Sequence, residues 1–328
     1  MIDLIVQVTR LVKSYNGPIN GQTVGNMFYG LQGMNCDCPG VVALFIELTR
    51  LIESCEGSMS EQEVSNMLYG LQRFKSSHPA VQSCLLKLAP LVQTCTEQLS
   101  AEELTNSFIG FLKLFDPSDP HIVSIFRFLQ SQYDKAIRSN LTVDDARKLT
   151  RSLCLFAHFQ EKKGISDEWM AEITAMKSRL DRFEQFGLID GAASDVHHSK
   201  IQSKPSSIIE RVYVEEFRRQ LKNTDVTVMH RAWIDGIECN IIIIRKSNSS
   251  SSTSSSSTGN IEANIEIDGP HHKQPHKLYF TSLRDHYFQH HYGFPVLRQD
   301  VSGRMKKGDE VKEDVRRILK GLGIMKKE

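Results

Sequence analysis

Two acidic residues two positions apart are the first feature of this sequence that could carry chemistry: Glu266 and Asp268 in "EANIEIDGPHH" (262–272). On a β-strand, residues with this spacing point to the same face of the sheet. Metal-dependent nucleases hold a divalent cation with carboxylates arranged in this way. The alternative is structural, because Asp, Gly and Pro in succession favour a tight turn. The motif therefore leaves two hypotheses open, a nuclease site or the turn of a domain that only grips nucleic acid.

Charge is divided unevenly along the 328 residues. Residues 1–199 hold 18 Lys and Arg against 23 Asp and Glu, a net charge of −5. Residues 200–328 hold 22 against 16, a net charge of +6, together with 7 of the 12 histidines. The basic part includes the acidic motif and favours a polyanionic partner. The asymmetry also predicts a domain boundary near residue 200.

The cysteines and the apolar runs exclude several classes of protein. Seven cysteines have neither the even spacing of a disulfide framework nor the paired spacing of a zinc site. We therefore expect a reducing compartment, with most of the thiols in the core. No run approaches the 18 apolar residues of a membrane span.

A repeat of about 40 residues organises the first half of the chain. The strings "NMFYGLQ", "NMLYGLQ" and "NSFIGFL" begin at Asn26, Asn66 and Asn106, and a weaker copy begins at Lys148. A hydroxyl residue with an acid three places later precedes the later copies, which is typical of a helix start. A second apolar helix follows each string, so residues 1–185 predict an α-solenoid of two-helix repeats.

The first residues match the second helix of a repeat. The segment "VTRLVKSYNG" (8–17) matches "LTRLIESCEG" (48–57) at the same 40-residue offset. No targeting peptide is recognisable in this chain. We therefore expect an N-terminally truncated sequence, from which any targeting peptide would be missing.

Asn26, Asn66 and Asn106 occupy one position in successive repeats, inside a helix where asparagine is a poor former. They could contact the bases of a nucleic acid. The preferred interpretation is a hydrogen-bonded ladder between repeats, because an identical residue in every unit cannot distinguish different bases.

The second half predicts a small α/β domain at 208–322. Residues 186–207 lose all periodicity and are interpreted as a linker. The following pattern predicts the element order αβββαβα, with a disordered Ser-rich insert at 247–259.

The strand "IEIDGPHH", Lys277 and "LRDHYFQHHYGFPVLR" together resemble the RAP domain, across about residues 205–322. RAP domains typically follow helical repeats in organellar proteins that bind RNA. The resemblance implies an RNA-binding factor of the mitochondrion or chloroplast that acts in RNA processing, stability or translation.

RAP domains in turn resemble the restriction-endonuclease fold, and this resemblance suggests the roles of a nuclease site. Glu216 would be the acid of the first helix, and Glu266 and Asp268 the acids of the third strand. Asn240 stands where the second-strand acid is expected, and a neutral amide is a weaker ligand for a hard cation. No lysine is present where the attacking water would be activated. No catalytic residues are therefore expected, and Mg²⁺ would be a cofactor only under the nuclease alternative.

The histidines offer two further roles. His271 or His272 could replace the missing lysine as a general base. His286 and His290 have the i, i+4 spacing of zinc ligands on a helix. No cysteine lies near them in the sequence, so no dedicated metal site is expected.

Basic and aromatic residues around the motif suggest contacts to single-stranded RNA, since cations bind phosphates and aromatic rings stack on bases. The candidate nucleic-acid-binding residues are Lys273, Lys277, Arg284, Tyr287 and Arg298.

Three functions remain from the sequence. An RNA-binding factor without catalytic activity is preferred. A metal-dependent nuclease with Glu216, Glu266, Asp268 and His271 is the main alternative. A scaffold whose acidic solenoid binds a protein partner is the third, and none of them involves a membrane.

Overall fold

The computed structural model describes residues 2–139, 141–180, 208–234, 237–245, 260–268, 275–301 and 308–325. The chain divides into two compact units, Met1–Gln185 and Phe186–Glu328. The predicted linker 186–207 and the predicted Ser-rich insert 247–259 lie outside the described residues. None of the helices described has both the length and the apolar character needed to cross a membrane.

The N-terminal unit is helical. Its helices are α1 (Ile2–Ser14), α2 (Gly21–Tyr29), α3 (Pro39–Ile52), α4 (Glu61–Gly70), α5 (Pro79–Gln93), α6 (Ala101–Phe111), α7 (Pro120–Arg138), α8 (Val143–Lys163) and α9 (Asp167–Ser178). Two short strands, β1 (Ile19–Asn20) and β2 (Cys55–Glu56), pair in parallel and so connect the loop before α2 to the loop before α4.

Local sequence explains where these helices begin. The predicted starts of α4, α6 and α8 are confirmed as capping boxes, in which hydroxyl and carboxylate each bond the other residue's backbone N–H. Proline occupies the first helical position of α3, α5 and α7, where its missing N–H costs nothing.

The helices of this unit pack in two rows. In the even row, α2 packs on α4, α4 on α6 and α6 on α8; in the odd row, α1 packs on α3, α3 on α5 and α5 on α7. Packing therefore joins helices about 40 residues apart, as the repeat predicts. None of the seven cysteines forms a disulfide bond, and four of them are buried, which confirms that most thiols lie in the core.

The C-terminal unit is a small mixed sheet with three helices. Its elements are α10 (Ile208–Gln220), β3 (Val226–Ile234), β4 (Ile237–Arg245), β5 (Asn260–Asp268), α11 (Pro275–Tyr292), β6 (Val296–Asp300) and α12 (Gly308–Gly321), which confirms the predicted order αβββαβα. The strand order is β3-β4-β5-β6, antiparallel except for the parallel pair β5–β6.

Alternation along β5 gives the sheet two different faces. Ala263, Ile265 and Ile267 join the apolar core under α10 and α12. Asn264 and Glu266 point to the opposite side, which we call the α11 face because Arg284 of α11 contacts Glu266 there.

Candidate nucleic-acid interface

Glu266 and Asp268 share the α11 face, but each is paired with other side chains. Glu266 is only 2 % exposed, and its carboxylate accepts a 2.8 Å hydrogen bond from Nδ2 of Asn264. Its other oxygen lies 3.2 Å from Nη2 of Arg284 on α11. Arg284 is therefore a counter-charge for Glu266.

Asp268 has a different cationic partner, Arg298. Nη1 of Arg298 donates to both carboxylate oxygens of Asp268, at 2.9 and 2.8 Å. Nε and Nη2 of the same guanidinium donate to Asp285 of α11, at 2.8 and 2.7 Å. Burial works to lower the pKa of Arg298, but the hydrogen bonds to Asp285 and Asp268 outweigh it and raise the pKa. The arginine thus ties β5 and β6 to α11.

This pairing changes the predicted RNA site. Arg298 donates four hydrogen bonds to two carboxylates, which compete with any phosphate, so its role as an RNA ligand stays a prediction. Tyr287 is only 3 % exposed and packs against Phe288 and His291, so it cannot serve as a stacking platform for a base. Arg284 already forms an ion pair with Glu266.

Four other sequence candidates cannot be placed. His271, His272 and Lys273 lie outside the described residues, and so does the side chain of Lys277, although its backbone belongs to α11.

The expected approach of Glu216 to the two strand carboxylates is wrong. Helix α10 packs on the opposite face of the sheet from Glu266, so the sheet separates the two acids. Glu216 instead accepts hydrogen bonds from Arg219 and Gln220 of its own helix, and the bond from Arg219 lowers its pKa. Within the described part of this unit alone, no three His, Cys, Asp or Glu side chains bring ligand atoms within 4.8 Å of one another.

The repeated asparagines of the helical unit do not form the predicted ladder. Asn26 is exposed, Asn66 and Asn106 are half-buried, and among the described residues none of the three side chains takes part in a hydrogen bond. The ladder interpretation is therefore wrong, and the amides remain available to a ligand.

Glycine and backbone contacts hold the even row together instead. An ideal Cβ on Gly70 would lie 1.9 Å from the carbonyl oxygen of Phe28, and one on Gly110 would lie 2.1 Å from that of Leu68. Both positions therefore require glycine for close helix packing. Beside this contact, the hydroxyl of Ser65 donates to the carbonyl of Glu103 at 3.2 Å.

A polar groove of about 480 Å³ crosses the even row. The rings of Tyr29 and Tyr69 stack along it, with centroids 6.0 Å apart and planes inclined by 26°. Tyr29 is 42 % exposed, whereas burial raises the pKa of the half-buried Tyr69. The lining residues are Tyr29, Gln62, Ser65, Asn66, Tyr69, Ser100, Glu102, Glu103 and Asn106. We call this surface the tyrosine groove.

The tyrosine groove is lined by two carboxylates, and basic residues lie beyond the ends of two of its helices. Glu102 at one side pairs with Lys148 of α8, the residue that takes the asparagine position in the fourth copy, at 3.7 Å. Arg73 and Lys113 hold equivalent positions just beyond the ends of α4 and α6. Burial lowers the pKa of Lys113, and the positive charges of Arg73 and Lys75 lower it further. Arg73, Lys75 and Lys113 therefore form a basic cluster at this end of the even row, and the carboxylate of Asp37 lies close enough to raise the pKa of Lys113 in part.

Sequence reasoning missed the two tyrosines. Their signal was present, because Tyr29 and Tyr69 recur 40 residues apart and each precedes the repeated glycine. The repeat does not say which way these rings point, and packing of the even row turns them toward the groove.

Comparison of this chain with protein-family models and with curated proteins gives no match.

Proposed function

We propose that this protein binds single-stranded RNA through the tyrosine groove of its helical unit. The observation that carries the proposal is the stacked pair Tyr29–Tyr69 beside the unbonded amides of Asn66 and Asn106. Aromatic faces stack on unpaired bases of any sequence, and amides can bond base edges or sugars. The lysine and arginine cluster beyond α4 and α6 supplies charge for phosphates.

The repeat also limits which bases this surface can tell apart. Asparagine is identical at 26, 66 and 106, so that position contributes affinity without telling bases apart. The position three residues later does vary: it holds Tyr29, Tyr69, Ile109 and Arg151 in the four copies. Any sequence preference is therefore expected from this second position.

On the wider architecture, we propose an α-solenoid followed by a RAP-like domain of the restriction-endonuclease type. Stacking of helices 40 residues apart supports the solenoid, and the order αβββαβα together with the "IEIDGPHH" strand supports the RAP-like domain. Under this proposal the protein acts in RNA processing, stability or translation in the mitochondrion or chloroplast.

The same proposal makes the RAP-like unit a non-catalytic element. Its two strand carboxylates are neutralised by arginines, and Glu216 lies across the sheet from them. A cation could bind these carboxylates only by displacing a guanidinium from a partly buried ion pair, which is costly.

We therefore expect no cleavage of labelled single-stranded RNA or DNA in millimolar Mg²⁺ or Mn²⁺. Any cleavage seen in a preparation should persist unchanged in Glu266→Gln and Asp268→Asn variants, which would identify it as a contaminant. Cleavage that both substitutions abolish, while thermal unfolding stays the same, would establish the nuclease alternative.

Salt dependence tests the proposed RNA site directly. For a single strand, the slope of log binding constant against log salt concentration becomes shallower by roughly 0.7 for each phosphate contact removed. The double variant Lys75→Gln, Lys113→Gln should therefore bind more weakly and reduce the slope by about 1.4. Fluorescence anisotropy with a labelled oligonucleotide at several salt concentrations measures this slope.

A matched control is Lys222→Gln with Lys320→Gln, which removes two lysines from the other unit. This control should keep the parent slope. If the parent and the Lys75, Lys113 variant give the same slope, these lysines of the even row do not contact phosphates.

A further inference from the structure

Glu102 is a charged side chain of the tyrosine groove that the stacking and amide contacts proposed above do not use. Its side chain is 73 % exposed, and the ammonium of Lys148 approaches its carboxylate only to 3.7 Å. Among the described residues, no donor forms a hydrogen bond to either carboxylate oxygen. Two acceptor atoms therefore remain open to a ligand in the groove.

Asn106 lies one turn further along α6 than Glu102. Residues i and i+4 of a helix are neighbours about 6 Å apart, and both of these side chains line the groove. The amide of Asn106 makes no hydrogen bond within the described part of the chain. Together the two residues can present an N–H donor beside a pair of carboxylate acceptors.

This order of hydrogen-bonding groups matches one base. The Watson–Crick edge of guanine carries the O6 acceptor beside two donors, N1–H and N2–H. The carboxylate of Glu102 can accept both donors in a bidentate pair, while the amide of Asn106 donates to O6. Adenine, cytosine and uracil each place a lone pair where guanine has one of these donors, and a carboxylate repels it.

The groove also gives a bound nucleotide its direction. Helices α4 and α6 run the same way, because Ser65 bonds the backbone of Glu103 near both starts and Gly110 lies against the backbone of Tyr69 near both ends. Glu102 lies in the first turn of α6, Tyr69 near the end of α4, and the basic cluster beyond both ends. A nucleotide has the same order of base edge, base ring and phosphate.

We infer that the tyrosine groove selects guanine, with Glu102 as the residue that determines this specificity. The inference rests on the proposed function, because the groove must first bind single-stranded RNA. Stacking on a tyrosine favours the larger purine rings, and Glu102 then separates guanine from adenine. One bidentate pair to a base edge gives a discrimination of about 10-fold or more.

Fluorescence anisotropy with the full chain tests the inference. The probes are labelled oligouridines that each carry a single guanosine, adenosine, cytidine or inosine at the centre. The guanosine probe should bind about 10-fold tighter than the adenosine and cytidine probes. Inosine lacks only the N2 amino group of guanosine, so it should lose part of this advantage. Equal affinity for guanosine and adenosine, or for guanosine and inosine, would overturn the inference.

Glu102→Gln is the decisive variant, because the preceding copy of the repeat already has glutamine at this position, Gln62. The change replaces one acceptor by a donor, so the guanosine and adenosine probes should then bind alike. Glu168→Gln, at an exposed glutamate of α9 outside the groove, is the matched control and should keep the preference. A guanosine preference that survives Glu102→Gln, with thermal unfolding unchanged, would overturn the role of Glu102.

Tyr29→Ala separates this inference from the proposed function. If this substitution leaves the binding of every probe unchanged, the groove is not the RNA site and both proposals fail. If it weakens every probe while the parent chain binds guanosine and adenosine equally, RNA binding at the groove stands and guanine selection alone is overturned.

Discussion

Replacing Gly110 with alanine is expected to lower the free energy of unfolding of the helical unit by about 2 kcal/mol. In an exposed helix this substitution would be favourable by roughly 1 kcal/mol. Here the new methyl group would lie 2.1 Å from the carbonyl oxygen of Leu68, closer than real contacts allow, so α4 and α6 must separate by about 1 Å. The loss of close packing along the even row outweighs the gain in helix propensity.

Calorimetry of the full chain measures this effect as a lower unfolding temperature of the helical unit, by about 4–8 °C. Gly70→Ala should behave alike, since its methyl group would meet the carbonyl of Phe28. Gly30→Ala is the control, because it holds the same place in the first copy, has helical backbone angles and meets no atom closer than 3.3 Å. If Gly30→Ala and Gly110→Ala lower the unfolding temperature equally, close packing at Gly110 is not the cause.

Removing the ring of Tyr29 is expected to weaken RNA binding by about 10- to 100-fold. Each base stacked on an aromatic side chain contributes roughly 1–3 kcal/mol. Tyr29 is 42 % exposed, so its loss from the tyrosine groove leaves little buried space behind and should not unfold the chain. Tyr69→Ala should act in the same direction, with some loss of stability because that ring is half-buried.

Two substitutions separate stacking from other causes. Tyr29→Phe keeps the ring and should bind RNA nearly as well as the parent. Tyr15→Ala removes an exposed tyrosine of the odd row, outside the groove, and should leave affinity unchanged. If Tyr29→Ala binds as tightly as the parent, the tyrosine groove is not the RNA site.

Much of the local architecture was predictable because its causes are short-range. Ser60 and Glu63 are three residues apart, and their reciprocal bonds start α4 whatever the rest of the chain does. The 40-residue identity of the asparagine strings required equivalent helices to stack, since one pair cannot bury its apolar face alone. Alternation along β5 placed Glu266 and Asp268 on the same face of the sheet.

The direction and pairing of the functional side chains depended on tertiary structure. Asn66 has the same neighbours in the sequence whether it bonds the next repeat or lines a groove, and only the packing of α4 against its neighbours shows that it lines the groove. Similarly, Arg298 resembles a free phosphate ligand until β6 lies beside β5 and α11 brings Asp285 to it.

By itself, the sequence determined the helix pairs, their period and the αβββαβα order, because capping, alternation and repeat identity act over a few residues or by strict repetition. Only the tertiary structure decided that Glu216 lies across the sheet from Glu266, that Arg298 joins two carboxylates, and that Tyr29 and Tyr69 face a groove. These outcomes depend on which faces meet between segments 13 to 50 residues apart. No local pattern encodes such meetings, because they are set by packing of the whole unit.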